Sequence, residues 1–329
     1  MSVPLSVLDL APIDPGGTAG ETIAASVALA QRAEQLGYRR IWYAEHHNFP
    51  GIASSAPAVL VAHVAAHTST IRLGAGGVML PNHSPLTIAE QFGTLAAAHP
   101  GRIDLGLGRA PGTDGAATRA LRRDPSASDA FPTDVLELQA YLAGTSRVAG
   151  VQAVPRADAP VSLYILGSSL FGASLAAALG LPYAFASHFA PDALHDAVAL
   201  YRAEFRPSTQ LDAPYVLAGI NVAAADTEEQ AREHLAATRR RRAVILFGQG
   251  RDLDDAEADA LLDAGADRHV DRMLACSAVG TPDRVRAQLD AFADDVGADE
   301  LITAHAAPGH ADRLRSLTLL GEESRLVAS

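Results

Sequence analysis

The feature that most constrains the fold of this 329-residue chain is a regular alternation of short strand-like runs with helical patterns. Strand–helix–strand repeats are joined by right-handed crossovers and build a parallel sheet. The predicted strands are Leu5–Leu10, Ile41–Ala44, Ile71–Leu80, Ile103–Leu107, Leu163–Leu166, Tyr183–Ala186, Tyr215–Val222 and Leu301–Ala304. About eight strands, nearly all followed by a helix, favour a closed (β/α)8 TIM barrel over an open doubly wound sheet.

The whole chain, residues 1–329, is predicted to be one such α/β domain with two interruptions. A stretch rich in Gly, Asp and Ser at about 110–131 is predicted to be a long loop, and residues at about 239–279 are predicted to be an insertion. Hydrophobic residues make up 48% of the chain and charged residues 19%. That balance supplies a large core and argues against disorder.

Composition excludes several mechanisms and partners. All 26 basic residues are arginine, which excludes a Schiff-base lysine and a P-loop lysine. The net charge of −12 argues against nucleic acid and anionic membranes as partners, so the run Arg239–Arg242 is predicted to be a solvated helix face. The N-terminus lacks the features of a signal peptide, and no apolar run is long enough to span a bilayer. We therefore expect a cytoplasmic protein.

No metal site is predicted. The single cysteine, Cys276, excludes an internal disulfide and any zinc cage built from cysteines. His63 and His67 have the spacing of two metal ligands on a helix but lack the glutamate of the HExxH motif. Glu45, His46 and His47 are consecutive, and side chains that alternate along a strand are poorly arranged to bind one ion.

The residues that follow the predicted strands indicate a binding site, because barrel enzymes place their active sites at the carboxyl ends of the strands. Gly76 and Gly77 lie in the third strand, where missing side chains let a flat ring approach. Arg109 follows the fourth strand and can make a charge-assisted contact with a phosphate. A short loop after the fifth strand can add backbone N–H and hydroxyl donors; it comprises Gly167, Ser168 and Ser169. Together these residues predict a planar cofactor that carries a phosphate.

Each of these residues also has a purely structural interpretation. Glycines within a strand mark a bulge or tight packing, and Ser169 alone is typical of a helix N-cap. Arg109 is then a surface charge, and His46 a hydrogen-bonded structural histidine. Convergence at one barrel mouth favours the cofactor site, provided that the barrel forms.

Several motifs together resemble the bacterial luciferase-like flavin monooxygenases. The resemblance runs nearly end to end and extends to the branch that contains a luciferase-like oxygenase of mensacarcin biosynthesis in streptomycetes. The motifs are Trp42–His47, Ile71–Leu86, Ala89–Gln91, Gly101–Arg109, Gly180–Pro182 and Gly280–Pro282. Any one of them alone is weak evidence, and the combination is specific.

The resemblance implies a two-component monooxygenase. Such an enzyme binds reduced FMN (FMNH2) supplied by a separate flavin reductase, which is a transient partner, and forms a flavin C4a-hydroperoxide with O2. It then oxygenates a small organic substrate, for example a polyketide or another secondary metabolite in antibiotic biosynthesis. The resemblance also implies a homodimer formed through helices Pro57–His67 and Leu86–His99. Gly108 stands where luciferases carry a reactive cysteine, so light emission from a long-chain aldehyde is not expected.

The resemblance carries roles over to individual residues. His46 corresponds to the histidine that handles protons near the flavin. Gly76 and Gly77 correspond to a cis peptide bond beneath the isoalloxazine ring. Arg109 and Ser169 correspond to the arginine and the serine that bind the phosphate.

Two other functions remain open on the same fold. One is a hydride-transfer oxidoreductase that uses the deazaflavin F420, which would form reduced F420 instead of consuming O2. The other is a non-catalytic flavin-binding protein, which would bind FMN without turnover. The sequence does not identify the substrate.

Overall fold

The computed structural model describes residues 3–110, 114–248, 251 and 253–324. Within them, nine strands form one all-parallel sheet: β1 (Leu5–Asp9), β2 (Arg40–Tyr43), β3 (Arg72–Met79), β4 (Ile103–Gly108), β5 (Ser162–Gly167), β6 (Tyr183–Phe185), β7 (Val216–Ala224), β8 (Ser277–Gly280) and β9 (Glu300–His305). Neighbouring strands pair in chain order from β1 to β7. Pairing of β7 with β9 and of β9 with β1 closes an eight-stranded barrel and confirms the predicted (β/α)8 fold.

Helices surround the barrel. Their bounds are α1 (Ala19–Gln35), α2 (Pro57–Ala65), α3 (Pro85–Ala98), α4 (Gly115–Ala120), α5 (Phe131–Leu142), α6 (Leu170–Leu179), α7 (Leu194–Glu204), α8 (Glu228–Phe247), α9 (Asp255–Leu261), α10 (Asp267–Met273), α11 (Pro282–Val296) and α12 (His310–Ser324). The capping box of Thr18 and Glu21 opens α1. Among the described helices, none is both long and apolar enough to cross a membrane.

The two segments predicted to interrupt the barrel contain regular structure. Residues 110–131 include α4 and a 3-10 helix, Pro125–Ala130. Helix α8 continues through Arg239, so no element begins at that residue. The sequence analysis missed β8, which pairs with Asn221–Ala224 at the end of β7. Because β6 pairs only with Val216–Ala218, β8 continues along the edge of β7 that β6 leaves free.

The amino-terminal end of the barrel interior holds a buried ionic cluster that the sequence analysis did not predict. Arg40 is 1% exposed, and its partners Asp104 and Glu300 are fully buried. Its Nη1 lies 2.6 Å from Asp104 Oδ2 and donates to the Tyr164 hydroxyl, while its Nε donates to Glu300 Oε1 at 2.8 Å. Burial alone would lower the pKa of Arg40, but Glu300 and Asp104 raise it well above its ordinary value. The cluster lies at the opposite end of the strands from the residues predicted to form the site.

Candidate active site

The strand registers bring the predicted site residues to one mouth of the barrel. Gly108, the last residue of β4, pairs with Leu166 of β5, so Arg109 and the loop that follows Gly167 extend from neighbouring strands. β3, with Gly76 and Gly77, lies between β4 and β2. His46 follows β2 by three residues. The convergence that the sequence predicted is therefore present at the level of the backbone.

His46 is half-buried after β2, and one of its ring nitrogens is shielded from solvent. Its backbone N–H donates to the Ser54 carbonyl at 3.0 Å, which ties down the segment after β2. Its Nδ1 is buried and has no hydrogen-bond partner within the described part of the chain. Burial lowers the pKa of His46, and the charge of Glu45 opposes that shift only in part. The imidazole is therefore neutral near pH 7 and has a nitrogen available to a ligand.

The neighbouring residues Glu45 and His47 serve a structural cluster. The Glu45 carboxylate is fully buried, and its Oε1 lies 2.8 Å from the Nε2 atoms of both His47 and His83. Its Oε2 accepts the Met79 N–H at 3.1 Å. Burial would raise the pKa of Glu45, but the hydrogen bonds from His83, His47 and Met79 hold it below its ordinary value. Glu45 and His47 converge while His46 takes no part, as the alternation of side chains along an extended segment places residues i and i+2 on one side.

The cluster of Glu45, His47 and His83 is also the one group of side chains among the described residues with potential metal ligands close together, within 4.8 Å of one another. Its geometry is explained without an ion, because both histidine nitrogens make direct hydrogen bonds to one carboxylate oxygen. The contacts anchor the segment that carries His46 against the end of β3.

The structure adds three residues to the site that sequence reasoning did not assign: His188, Asn221 and Arg242. His188 lies three residues after β6, and its Nδ1 is buried without a hydrogen-bond partner in the described residues. Arg242 of α8 donates to the His188 carbonyl at 3.3 Å and to Asn221 Oδ1 at 3.0 Å. Burial, followed by the charges of Arg242 and His46, lowers the pKa of His188 to about 3. The charges of Arg242 and His46 therefore both act on His188.

One sequence signal could have indicated His188. Gly219 lies within β7, and a Cβ atom at that position would come within 2.4 Å of His188 Nδ1. A glycine in a strand interior marks the close approach of another group. No local signal indicated Arg242, since its partners lie 21 and 54 positions away in the chain.

The peptide bond between Gly76 and Gly77 is cis, as the resemblance implies. The strand register shifts between Gly76 and Val78, which marks an irregularity in β3. A Cβ on Gly76 would lie 2.9 Å from the side chain of Trp42, and one on Gly77 would lie 2.6 Å from the Gly106 carbonyl oxygen. Packing within the barrel therefore requires both glycines, whether or not a ring lies over them.

Arg109 is exposed, and its guanidinium lies 4.1 Å from the centroid of the Phe171 ring, in the first turn of α6. Stacking on an aromatic face leaves the N–H donors at the guanidinium edge free. Among the described residues, no hydrogen bond or ion pair involves that side chain. Ser169 is the N-cap of α6, but its side chain makes no capping hydrogen bond. Arg109 thus lies next to the start of α6, and both carry hydrogen-bond donors that have no partner among the described residues.

The residues present fit a phosphate-bearing ring. The start of α6 offers unpaired backbone N–H groups beside the half-buried Ser168 and Ser169. Arg109 adds a positive charge at that end. At the other end, His46 and His188 each present a buried nitrogen without a partner in the described residues. A buried polar atom without a partner is costly unless a ligand or water satisfies it, so a polar group bound at the mouth would satisfy these nitrogens.

Comparison with known proteins gives concordant results. The family of luciferase-like monooxygenases matches residues 3–300. A luciferase-like monooxygenase of Escherichia coli K12 is 44% identical over 97% of this chain and 96% of its own length. An N-acetyl-S-alkylcysteine monooxygenase of Bacillus subtilis is 38% identical over 74% of this chain and 75% of its own. The crystal structure of apo-MsnO8 superimposes with a TM-score of 0.89 at 38% identity and covers 99% of this chain and 98% of that one.

Proposed function

The chain belongs to the luciferase-like monooxygenase family and is an oxidoreductase, and from this premise we propose that it is a two-component, FMNH2-dependent monooxygenase of small organic molecules. The observation that carries the proposal is the unsatisfied Nδ1 of His46, buried at the same mouth as Arg109 and the start of α6. A transient flavin reductase supplies the reduced FMN.

In this proposal, residues at both ends of the mouth hold the cofactor. Arg109, Ser168 and Ser169, with the first N–H groups of α6, bind the phosphate. The ring lies toward the irregular part of β3 at Gly76 and Gly77. When bound, reduced FMN supplies the two electrons that let one oxygen atom of O2 pass to the substrate while the other leaves as water.

The protein's own contribution to the chemistry is proton transfer at His46. A neutral imidazole accepts a proton at Nδ1 in one step and returns it in the next. The hydrogen bond from the backbone N–H of His46 to the Ser54 carbonyl fixes the main chain at this position. The hydrogen bond between Glu45 and His47 anchors the residues before and after it. His188, whose imidazole is also neutral, follows β6 at the same end of the barrel, and the charge of His46 acts on it.

We expect Arg109→Ala to weaken FMN binding by roughly 1.5–3 kcal/mol, the scale of a hydrogen bond to a charged group. The cause is the loss of a charge-assisted contact with the phosphate. The measurement is a fluorescence titration of FMN, with Arg147→Ala on an exposed loop as the matched control. Arg109→Ala and the wild type should bind riboflavin, which has no phosphate, with equal affinity. Equal FMN affinity of Arg109→Ala and the wild type would remove Arg109 from the site.

Binding and turnover measurements on the wild-type protein distinguish the alternative functions. Titration with F420 in parallel with FMN identifies the preferred cofactor. Formation of an oxygenated product from O2 in the presence of a flavin reductase, beyond the hydrogen peroxide that free reduced FMN gives with O2, supports the monooxygenase. Formation of reduced F420 from an alcohol would instead support the hydride-transfer enzyme, and FMN binding without any turnover would support flavin storage.

We also propose that the enzyme is a homodimer formed through α2 and α3. Several of the alanines on these helices, including Ala65, Ala89 and Ala96, are buried in the chain's own core. The outer face nevertheless carries Val59, which is 69% exposed, and further small residues that permit close approach of a second copy. A two-fold interface of this kind is the commonest symmetric solution.

Light scattering at micromolar concentration is expected to report the mass of a dimer. Val59→Arg should shift the protein to the monomer, because it places a charge in the centre of the interface. Val148→Arg, a similar change on the loop after α5, should leave the mass unchanged. A wild-type protein that is monomeric at this concentration would reject the dimer.

A further inference from the structure

The four consecutive arginines of α8 do not form the solvated helix face that their sequence predicts. Each one contacts a different part of the protein, because successive side chains point about 100° apart around a helix. Two pair with carboxylates, and two turn toward the barrel and meet only neutral groups. The contacts are Arg239 with Asp271, Arg240 with Asp259, Arg241 with the carbonyl oxygens of Ile13 and Gly51, and Arg242 with the His188 carbonyl and Asn221.

Arg242 lacks a counter-ion. Within the described parts of the chain, no carboxylate oxygen lies within 4.0 Å of its guanidinium. Its protein partners, the His188 carbonyl and Asn221 Oδ1, are neutral acceptors, and they do not use all five N–H donors. Burial lowers the pKa of Arg242 to about 10, so the group keeps its charge at neutral pH. A partly buried charge without a partner costs free energy, and an anionic ligand would remove that cost.

The position of Arg242 links this charge to the site. The segment that it bonds carries His188 and follows β6, at the same end of the barrel as His46 after β2, and the charge of His46 acts on the pKa of His188. Arg109, the predicted phosphate ligand, instead extends from β4 and stacks on Phe171 of α6. Arg109 and Arg242 are therefore separate cationic positions, and the phosphate of the cofactor accounts only for Arg109.

Exposed aromatic side chains border the same part of the mouth. Phe49 is 38% exposed, and its ring centroid lies 5.9 Å from that of His46. Phe189 is 53% exposed and follows His188 directly in the chain. Binding sites for small molecules combine an apolar lining with a few polar groups that fix orientation. Aromatic surface beside one unpaired arginine matches a ligand with an apolar body and a single negative charge.

We propose that Arg242 binds the carboxylate of the substrate, and that the substrate is a carboxylic acid with an apolar body that packs near Phe49 and Phe189. The proposal deepens the proposed function, since the acid is the molecule oxygenated next to His46. One guanidinium matches the single charge of a carboxylate. A carboxylate also accepts two N–H groups in the planar, bidentate geometry that arginine favours.

The test compares acids with their neutral amides, which have nearly the same shape. The probes are hexanoate, phenylacetate and 4-phenylbutyrate with the corresponding amides, and binding is measured by ligand-observed NMR on FMN-loaded and FMN-free protein. We expect the wild type to bind at least one acid at least ~10-fold more tightly than its amide, the scale of one charge-assisted hydrogen bond. Arg242→Gln should abolish that preference, and Arg242→Lys should retain part of it.

Arg241→Gln is the matched control, because it changes the adjacent arginine, which bonds only to backbone carbonyl oxygens in the loops after β1 and β2. It should keep the preference for acids. No preference for any acid in the wild type would overturn the proposal, as would an unchanged preference in Arg242→Gln. Loss of FMN affinity in Arg242→Gln would also overturn it and assign the residue to the cofactor. Carboxylate binding by a wild type that fails to bind FMN would leave the anion site standing and reject the proposed function.

Discussion

We expect His46→Ala to lower the rate of coupled oxygenation by about 10²–10⁴-fold, the usual contribution of general acid–base catalysis. The melting temperature should stay close to that of the wild type, because Nδ1 of His46 makes no hydrogen bond within the described protein. The FMN affinity should also change little, because the proposed phosphate contacts at Arg109 and the start of α6 are untouched. Reduced flavin should go increasingly to hydrogen peroxide. The measurement is turnover with a flavin reductase on a substrate that the wild type oxygenates, with product and peroxide scored separately.

His47→Ala is the control for this variant. His47 donates to the fully buried Glu45 carboxylate at 2.8 Å, so its removal should lower stability more than turnover. Full coupled activity in His46→Ala would refute the assignment of His46. A large drop in the melting temperature of that variant would restore its interpretation as a structural histidine.

The pH profile provides an independent readout of His46. Burial holds its pKa below the ordinary value of 6.5, so the ring is neutral at pH 7 and becomes protonated only as the pH falls further. Coupled turnover should therefore decline on the acid side below pH 6.5, and that limb should be absent from the residual activity of His46→Ala. An acid limb that is identical in the variant would belong to another group.

We expect Arg40→Met to lower the free energy of unfolding by about 3–5 kcal/mol, the cost of removing one partner from a buried ion pair. The change leaves Asp104 and Glu300, both fully buried, without their shared cation, and it removes a donor to Tyr164. Arg72 also bonds Asp104, so that carboxylate keeps one cationic partner and the loss is softened in part. The measurement is the melting temperature and the denaturant midpoint of the purified protein.

The surface pair of Arg284 and Glu228 supplies the control. It has a distance of 3.0 Å, similar to those of the buried pairs, but the arginine is 63% exposed. Arg284→Met should therefore change stability by no more than about 1 kcal/mol. An Arg40→Met protein that melts with the wild type would show that the buried cluster contributes nothing to stability.

Local pattern was sufficient to predict most of the barrel. A parallel strand that is buried on both faces is rich in apolar residues along its length, as in β7, and such stretches are visible without knowledge of the fold. All eight predicted strands begin within one residue of the observed start. β8 was missed because its four residues, Ser277–Gly280, are too short to establish a period and become a strand only by pairing with β7.

The candidate site divides in the same way. The residues directly after strands, His46, Arg109 and Ser169, could be named from the sequence, because strand ends in a barrel share one mouth. Which of these side chains find hydrogen-bond partners within the protein depends on the tertiary structure. The sequence placed Glu45, His46 and His47 side by side, and only packing against His83 shows that Glu45 and His47 belong to a structural cluster while Nδ1 of His46 lacks a partner.

The role of Arg242 was decided by the tertiary structure alone. In the sequence it is one of four identical residues in a polar helix, and composition predicts a solvated face for all of them. Whether an arginine is neutralised depends on carboxylates brought near by folding, and those of Arg239 and Arg240 come from α9 and α10. The closed barrel instead turns Arg242 toward β7 and the segment after β6, where its contacts are neutral. The local pattern of apolar residues determines which residues form a strand or a helix. The charge balance around a side chain depends instead on residues that are far away in the sequence and are brought near by folding.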